Sequence, residues 1–269
     1  MIAAVVLAAG LSTRMGGRPK GLLPFDSRDT FVSRIVRTFN EAGVADVVVV
    51  VGHEGPRVEE VVVRSGLAAR TVLNPSYREG QFTSVLAGLE AIDRPGVDGF
   101  LLALVDAPLF SPGTVRAIVE RFEQTHAPVV RAVRGDAHGH PVLIGRALFE
   151  PLRHADPAFG AKPIVRGHVS ADGDVEVQDA GAFIDIDTPE DYAALPDLLA
   201  RLSSQLECSP PPELLPSTFY LLPSERGQRP APSRLRARRR RGSGPSARVQ
   251  ASRSRRALRR SCDRAEVPA

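Results

Sequence analysis

Short apolar runs alternate along this chain with stretches whose apolar residues recur every three or four positions. Residues 2–9, IAAVVLAA, are continuously apolar and end at Gly10, the pattern of a strand covered on both faces in a parallel sheet. Thr30 then opens a helix with Phe31, Ile35, Val36 and Phe39 on one stripe and Gly43 beyond its end. VVVVVG at 47–52 reads as a second buried strand. A helix at 56–65, a short strand at 70–73, a helix through Ser84, Leu86, Leu89 and Ile92, and a strand at 99–105 continue the alternation. There follow a helix from about Ser111 to His126, the strand PVVRAV, an apolar piece at 142–149 and a short strand near 183–186. The last helix is capped by Asp187 or Thr188, carries Pro189 in its first turn, and runs through Leu195, Leu198, Leu199 and Leu202. This βαβα order predicts an α/β domain with a doubly wound, mostly parallel, Rossmann-like sheet.

Composition divides the chain in two. Of its 269 residues, 1–202 hold 20 basic and 26 acidic side chains, whereas 203–269 hold 15 and 5. The second part, with SPPPELLPS, RARRRRGSG and SRSRRALRR, has too few apolar groups to build a core and is expected to be a disordered Pro/Ser/Arg-rich basic tail. The sequence pI of 9.6 is therefore a property of the tail and gives no reason to assign a nucleic acid to the domain. The tail itself lacks the interleaved aromatics of a single-strand binding platform, so no specific nucleic-acid partner is expected. Both cysteines, Cys208 and Cys262, lie beyond residue 202 and support neither a metal cluster nor a disulfide framework. No apolar run reaches the length that spans a bilayer, and residues 1–9 lack a basic segment and a cleavage site, which predicts a cytoplasmic protein with no membrane partner.

The chemistry concentrates at 7–20, LAAGLSTRMGGRPK, where a strand end enters a loop with Gly10, Gly16, Gly17, Ser12, Thr13, Arg14 and Lys20. Glycines let backbone amides approach phosphate oxygens, and Arg14 and Lys20, one of only two lysines in the chain, add positive charge there. The loop is neither a dinucleotide fingerprint nor a P-loop, because G-x-G-x-x-G and G-x-x-x-x-G-K-[ST] are both absent. Asp106 follows the apolar strand FLLALV, at the carboxyl edge where open α/β sheets bind ligands, although the same residue could cap the next helix. Asp185 and Asp187, two apart in DIDTPED, share one side of an extended segment and could complete a metal site with Asp106; plain helix capping is the competing role. His138 and His140 have no third His or Cys at a useful spacing and are not read as metal ligands.

LAAGLSTRMGGRPK resembles the fingerprint L-A-[AG]-G-x-S-x-R-M-G-x-x-K of the MobA-like nucleotidyltransferases, the relatives of molybdenum cofactor guanylyl- and cytidylyltransferases, with one extra residue before the lysine. Three further segments match in order: NPSYREGQFTSVLAGL at 74–89, VDAP at 105–108 and DIDTPED, the last nearest the cytidylyltransferase branch. HGHPVL at 138–143, with Arg134 before it, is similar to a stretch facing the acceptor in that branch. The resemblance implies nucleotide binding by Leu7, Ala8, Ala9, Gly10, Arg14 and Lys20, and by Gly80, Thr83 and Ser84 near base and ribose. It implies Mg²⁺ on Asp106 with Asp185 or Asp187, and acceptor contacts at Gly139, His140 and Pro141. VDAP and AKPIVRG depart from the branch pattern.

The expectation is thus a transferase in which Arg14, Lys20 and Asp106 are catalytic. It moves an NMP, CMP from CTP by preference, onto a molybdopterin-like phosphate acceptor, and a molybdoenzyme that receives the product is the corresponding protein partner. Two other readings stay open: a nicotinamide-dependent oxidoreductase, as some relatives of this branch are, and a non-catalytic nucleotide-binding or cofactor-delivery protein.

Overall fold

The computed structural model describes residues 1–207, and the remainder of the basic tail, with Cys208 and Cys262, lies outside them. Strands β1 (Ile2–Leu7) and β2 (Val47–Val51) are almost wholly buried, as continuous apolar runs require. Around them one seven-stranded sheet forms in the order β3 (Arg70–Leu73), β2, β1, β4 (Gly99–Leu104), β6 (Ala137–Gly145), β5 (Val129–Arg134) and β7 (Asp174–Glu176). The first four are mutually parallel, while β6 runs antiparallel to both β4 and β5. The architecture is the expected doubly wound α/β sheet.

Helices cover both faces. On one, α1 (Phe31–Glu41), α2 (Gly55–Arg64) and α4 (Pro112–Thr125) pack against a layer that includes Val6, Val49, Leu101 and Leu143. On the other, α3 (Gln81–Ile92), α5 (Phe149–Arg153) and α6 (Lys162–Gly167) meet Val5, Val50, Phe100 and Ile144. Local capping starts two of the helices: the Thr30 hydroxyl accepts from the Ser33 amide, and Ser111 does the same for Thr114. A short helix, α7 (Pro189–Ala193), and a longer one, α8 (Leu195–Glu207), close the fold over a third cluster that contains Met15, Phe31, Leu109 and Ile186.

Two expectations are corrected. Residues 183–186 form no strand: Phe183 ends a 3-10 turn that starts at Ala180, and the segment is tied down by the backbone bond from Ile186 N–H to the Asp106 carbonyl at 2.7 Å. Residues 203–207, assigned to the tail, continue α8, because SSQLE holds neither proline nor glycine to stop it.

A close approach sets the seat of α3. A Cβ on Gly88 would lie 2.3 Å from Cγ1 of Val5 and 3.2 Å from Cγ2 of Val50. On an exposed helix Gly→Ala adds about 1 kcal/mol of stability, but overpacking of this kind costs about 1–3 kcal/mol. Gly88→Ala is therefore expected to lower the urea midpoint, and Val5→Ala in the same chain to restore part of the loss.

Just ahead of α1 the Asp29 carboxylate accepts from Arg37 Nε at 2.7 Å, Arg37 Nη2 at 2.9 Å and Ser33 Oγ at 3.0 Å, with 4% of its side chain exposed. The Arg37 hydrogen bond holds its pKa below the ordinary 3.8 against the opposing effect of burial. A depressed carboxylate pKa stabilises the fold above the unfolded value and loses that effect as pH falls through the folded one. Asp29→Asn is expected to cost about 3 kcal/mol at neutral pH, and the two urea midpoints to converge as pH is taken below 3.8.

Candidate active site

The loop after β1 is wound around Ser12. This residue takes a left-handed conformation (φ 49°), its carbonyl accepts from Met15 and Gly17, and its hydroxyl accepts from the Lys20 amide at 3.1 Å. Gly16 and Gly17 follow with φ of 64° and 78°, the region where glycine carries no steric penalty. Buried Met15 anchors the turn beneath α8, and Lys20 is thereby delivered to the carboxyl end of β4.

There the Lys20 ammonium lies 3.1 Å from Asp106 Oδ2 and 2.6 Å from Asp187 Oδ1, with 9% of its side chain exposed. Arg14 reaches the second oxygen of Asp187 at 3.0 Å but stays 70% exposed, free to turn toward a ligand. The hydrogen bond from Lys20 holds Asp187 below the usual carboxylate range. The other oxygen of Asp106, Oδ1, is buried and has no hydrogen-bond partner. These groups line a cleft of about 440 Å³ with Ala8, Gly10, Ser12, Thr13, Gln81 and Val105.

Ile186 is 2% exposed and plugs the third cluster. Its neighbours Asp185 and Asp187 therefore share the outer side, as their spacing predicts. Asp187 also precedes the N-cap of α7: Thr188 accepts from the Asp191 amide, and the Asp191 carboxylate accepts from the amides of Asp187 and Thr188. The cap thus belongs to Thr188, which leaves the Asp187 carboxylate to Lys20 and Arg14. Asp185 lies at the open rim, where desolvation by the surrounding walls raises its pKa, reinforced by Asp106 and Asp187 and opposed by His140 and Lys20. Desolvation lowers the pKa of His140, against the pull of Asp185 and Asp106, and its Nδ1 has no hydrogen-bond partner.

The structure therefore brings Ala8, Gly10, Arg14, Lys20, Asp106 and Asp187 into one cleft, with Asp185 and His140 beside it. Leu7 and Ala9 turn their side chains into the core beneath. Gly139 is buried, where a Cβ would lie 2.6 Å from the Ala182 carbonyl oxygen; Pro141 is buried as well. Arg134 stacks on Phe183 at 4.7 Å. Thr83 and Ser84 do not line this cleft. Buried Asn74 donates to both hydroxyls at 2.9 Å and accepts from the Ser76 amide, and Thr83 donates back to the carbonyls of Ser76 and Gly80. Both hydroxyls thus brace the 74–80 loop ahead of α3, whose first residue, Gln81, faces the cleft. Gln81 was missed in the sequence; its only signal is its position after Gly80 at a helix N-terminus.

Among the described residues no three His, Cys, Asp or Glu side chains converge to hold a metal by themselves. A pair of carboxylates, one with a buried unpartnered oxygen, fits a hard divalent cation of the Mg²⁺ type, which takes one or two protein carboxylates and completes its shell with water and phosphate. No helix of the described residues is long and apolar enough to cross a membrane.

Comparison with known proteins places the arrangement. The Escherichia coli molybdenum cofactor cytidylyltransferase is 25% identical over 193 residues, 70% of this chain and 92% of that protein. The nicotine blue oxidoreductase of Paenarthrobacter nicotinovorans is 33% identical over 153 residues, 55% of this chain and 72% of that one. The bifunctional IPC transferase and DIPP synthase of Rubrobacter xylanophilus is 38% identical over 121 residues, 44% of this chain; the match spans only 26% of that longer protein. Among solved structures, a nucleotidyl transferase from Methanothermobacter thermautotroptrophicus superposes with a TM-score of 0.61 at 28% identity, covering 75% of this chain and 98% of that one. Rv0371C of Mycobacterium tuberculosis in complex with manganese superposes at 0.57 and 26% identity, covering 72% and 96%. Residues 4–173 match the family model of the MobA-like NTP transferase domain, and the chain belongs to that family.

Proposed function

We propose that this chain transfers a nucleotidyl group from an NTP, CTP by preference, to the phosphate of a molybdopterin-like acceptor and releases pyrophosphate. The observation that carries the reading is the Lys20 ammonium held between Asp106 and Asp187, beside Arg14 and a glycine-bearing loop. The preference for CTP is supported by the cytidylyltransferase relative, which is matched over most of its length.

Transfer requires the acceptor phosphate to lie in line with the leaving pyrophosphate while the charge growing on the α-phosphate is neutralised. Gly10, Ser12, Thr13 and Arg14 line the cleft, and the Arg14 guanidinium suits the β- and γ-phosphates. Lys20 is fixed by its backbone bond to Ser12, so its ammonium holds one position while charge develops nearby. Asp106 and Asp187 would hold Mg²⁺, which when bound supplies Lewis-acid neutralisation of phosphate oxygens. Gly80 and Gln81, at the start of α3, contact the nucleotide, while Thr83 and Ser84 hold their loop in place. His140, Gly139, Pro141 and Asp185 lie on the acceptor side. An acceptor phosphate is already anionic, so no residue of the cleft is assigned to abstract a proton. A cytoplasmic location and hand-over of the product to a molybdoenzyme belong to the same reading.

The test is pyrophosphate release by the full chain with Mg²⁺, molybdopterin or its molybdenum-loaded form, and CTP, GTP, ATP or UTP in turn. Release with CTP is expected. Lys20→Ala and Asp106→Asn should each lower the rate at least about 10²-fold with an unchanged circular dichroism spectrum, and EDTA should stop release until Mg²⁺ is restored. Full activity of Asp106→Asn would refute its assignment to the metal. Silence with all four nucleotides together with saturable NAD(P)H binding would favour an oxidoreductase, the activity named for the Paenarthrobacter relative.

A further inference from the structure

A second cavity, of about 660 Å³, shares no lining residue with the nucleotide cleft and is the larger of the two. Its volume lies in the range that takes a small organic molecule. Four parts of the fold line it. Phe25 and Arg34 come from α1 and the turn before it, Leu109 and Thr114 from the entry to α4, and Leu199 and Leu202 from α8, while residues 177–180 follow β7. The α8 leucines show that packing is incomplete here. Leu199 and Leu202, three apart and so on one face of the helix, are only half-buried, although Leu195 ahead of them is 2% exposed.

The charged groups on the wall differ in how far they are already paired. Asp179 accepts from the Ser111 amide at 2.7 Å, the Thr114 hydroxyl at 2.6 Å and the Gly181 amide at 3.1 Å. Asp26 accepts from the amides of Arg28 and Asp29, both at 2.7 Å. Arg34 stands apart: its Nε is buried without a hydrogen-bond partner, and no carboxylate among the described residues pairs with its guanidinium. Arg37, three residues on, is by contrast fully engaged by Asp29. The Arg34 guanidinium carbon lies 5.3 Å from the centre of the Phe25 ring, a contact that holds the head group without using its N–H donors. A buried cationic donor left without an acceptor is costly, and the planar fork of an arginine is matched by the oxygens of a carboxylate or phosphate.

We propose that this cavity is a second binding site, for a small organic acid. The anionic head, a carboxylate or a phosphate monoester, pairs with Arg34, and the apolar body lies against Phe25, Leu109, Leu199 and Leu202. The site stands independently of the nucleotidyl-transfer reading, because none of its residues belongs to that cleft.

The chain has no tryptophan, so naphthalene probes can be followed on the full chain by their own fluorescence. Three of similar shape are compared: 2-naphthoate, 2-naphthyl phosphate and the neutral 2-naphthamide. At least one acid is expected to bind about tenfold or more tightly than the amide, the effect of a hydrogen bond to a charged group, and the tighter acid identifies the head group. Arg34→Met keeps an apolar stem and removes the charge, so it should abolish this preference while naphthamide affinity stays within about twofold of the parent. Leu202→Glu sets another carboxylate on the wall and should weaken acid binding as well. Lys20→Ala, in the other cleft, should leave it unchanged. The proposal is overturned if none of the three probes binds, if naphthamide binds the parent as tightly as both acids, or if acid affinity is unchanged in both Arg34→Met and Leu202→Glu. Acid binding lost in Lys20→Ala but kept in Arg34→Met would put the acid in the nucleotide cleft and overturn it too.

Discussion

Lys20 can leave water only because Asp106 and Asp187 meet its ammonium at 3.1 and 2.6 Å. Removing an ammonium group from water costs several kcal/mol even after relaxation, and only close opposite charge offsets it. The three residues lie in segments separated by 86 and 167 positions, so the pairing is also a constraint on topology. The loop after β1, the end of β4 and the segment before α7 must converge on one point. Much of the carboxyl edge follows from that convergence: the left-handed Ser12 that turns the loop back, the buried Met15 beneath it, and Ile186 inserted between the two outward carboxylates.

The return of the 184–187 segment also depends on small residues. A Cβ on Gly181 would fall 2.2 Å from the Leu109 carbonyl oxygen, and one on Gly139 would fall 2.6 Å from that of Ala182. Backbone therefore lies directly on backbone at this edge, and the 180–187 segment crosses the strand ends as a strap. Such a strap cannot also join a ladder of hydrogen bonds along a strand. That is the physical reason why a pattern of alternating Ile and Asp, read locally as β, becomes a single bond from Ile186 to Asp106.

What was legible in the sequence was what local physics decides. Continuous apolar runs placed β1 and β2, and the Thr30 and Ser111 caps placed the starts of α1 and α4, because those signals need no distant partner. Glycine-rich loop chemistry and a strand-end aspartate located Arg14, Lys20 and Asp106 for the same reason. The misses are tertiary. β7 is three residues long, too short for any periodicity, and is held by pairing with β5 and by Arg131 Nε on Asp174 at 2.8 Å. Ser84 carries a hydroxyl suited to a ligand, yet Asn74 claims it from ten residues away. Gln81 lines the cleft from the first turn of α3, a helix seated on the sheet by the close approach of Gly88 to Val5, and that seat is a tertiary fact.

The two halves of the carboxyl edge are built from different materials. Around Lys20 the walls are charged residues and loop amides, groups that serve any nucleoside triphosphate because its phosphates are the same whatever the base. Across β4 and β6 the surface is apolar instead, with Leu102, Leu104 and Val142 only half covered. The charged half is built from residues held by ion pairs and a buried turn, which keep its side chains in fixed positions. The apolar half borders α6, a short helix with no fully buried side chain, where residues can change at little cost to stability. A fold divided in this way can hold its charged edge constant while the apolar edge varies, and the relatives of this chain carry different names.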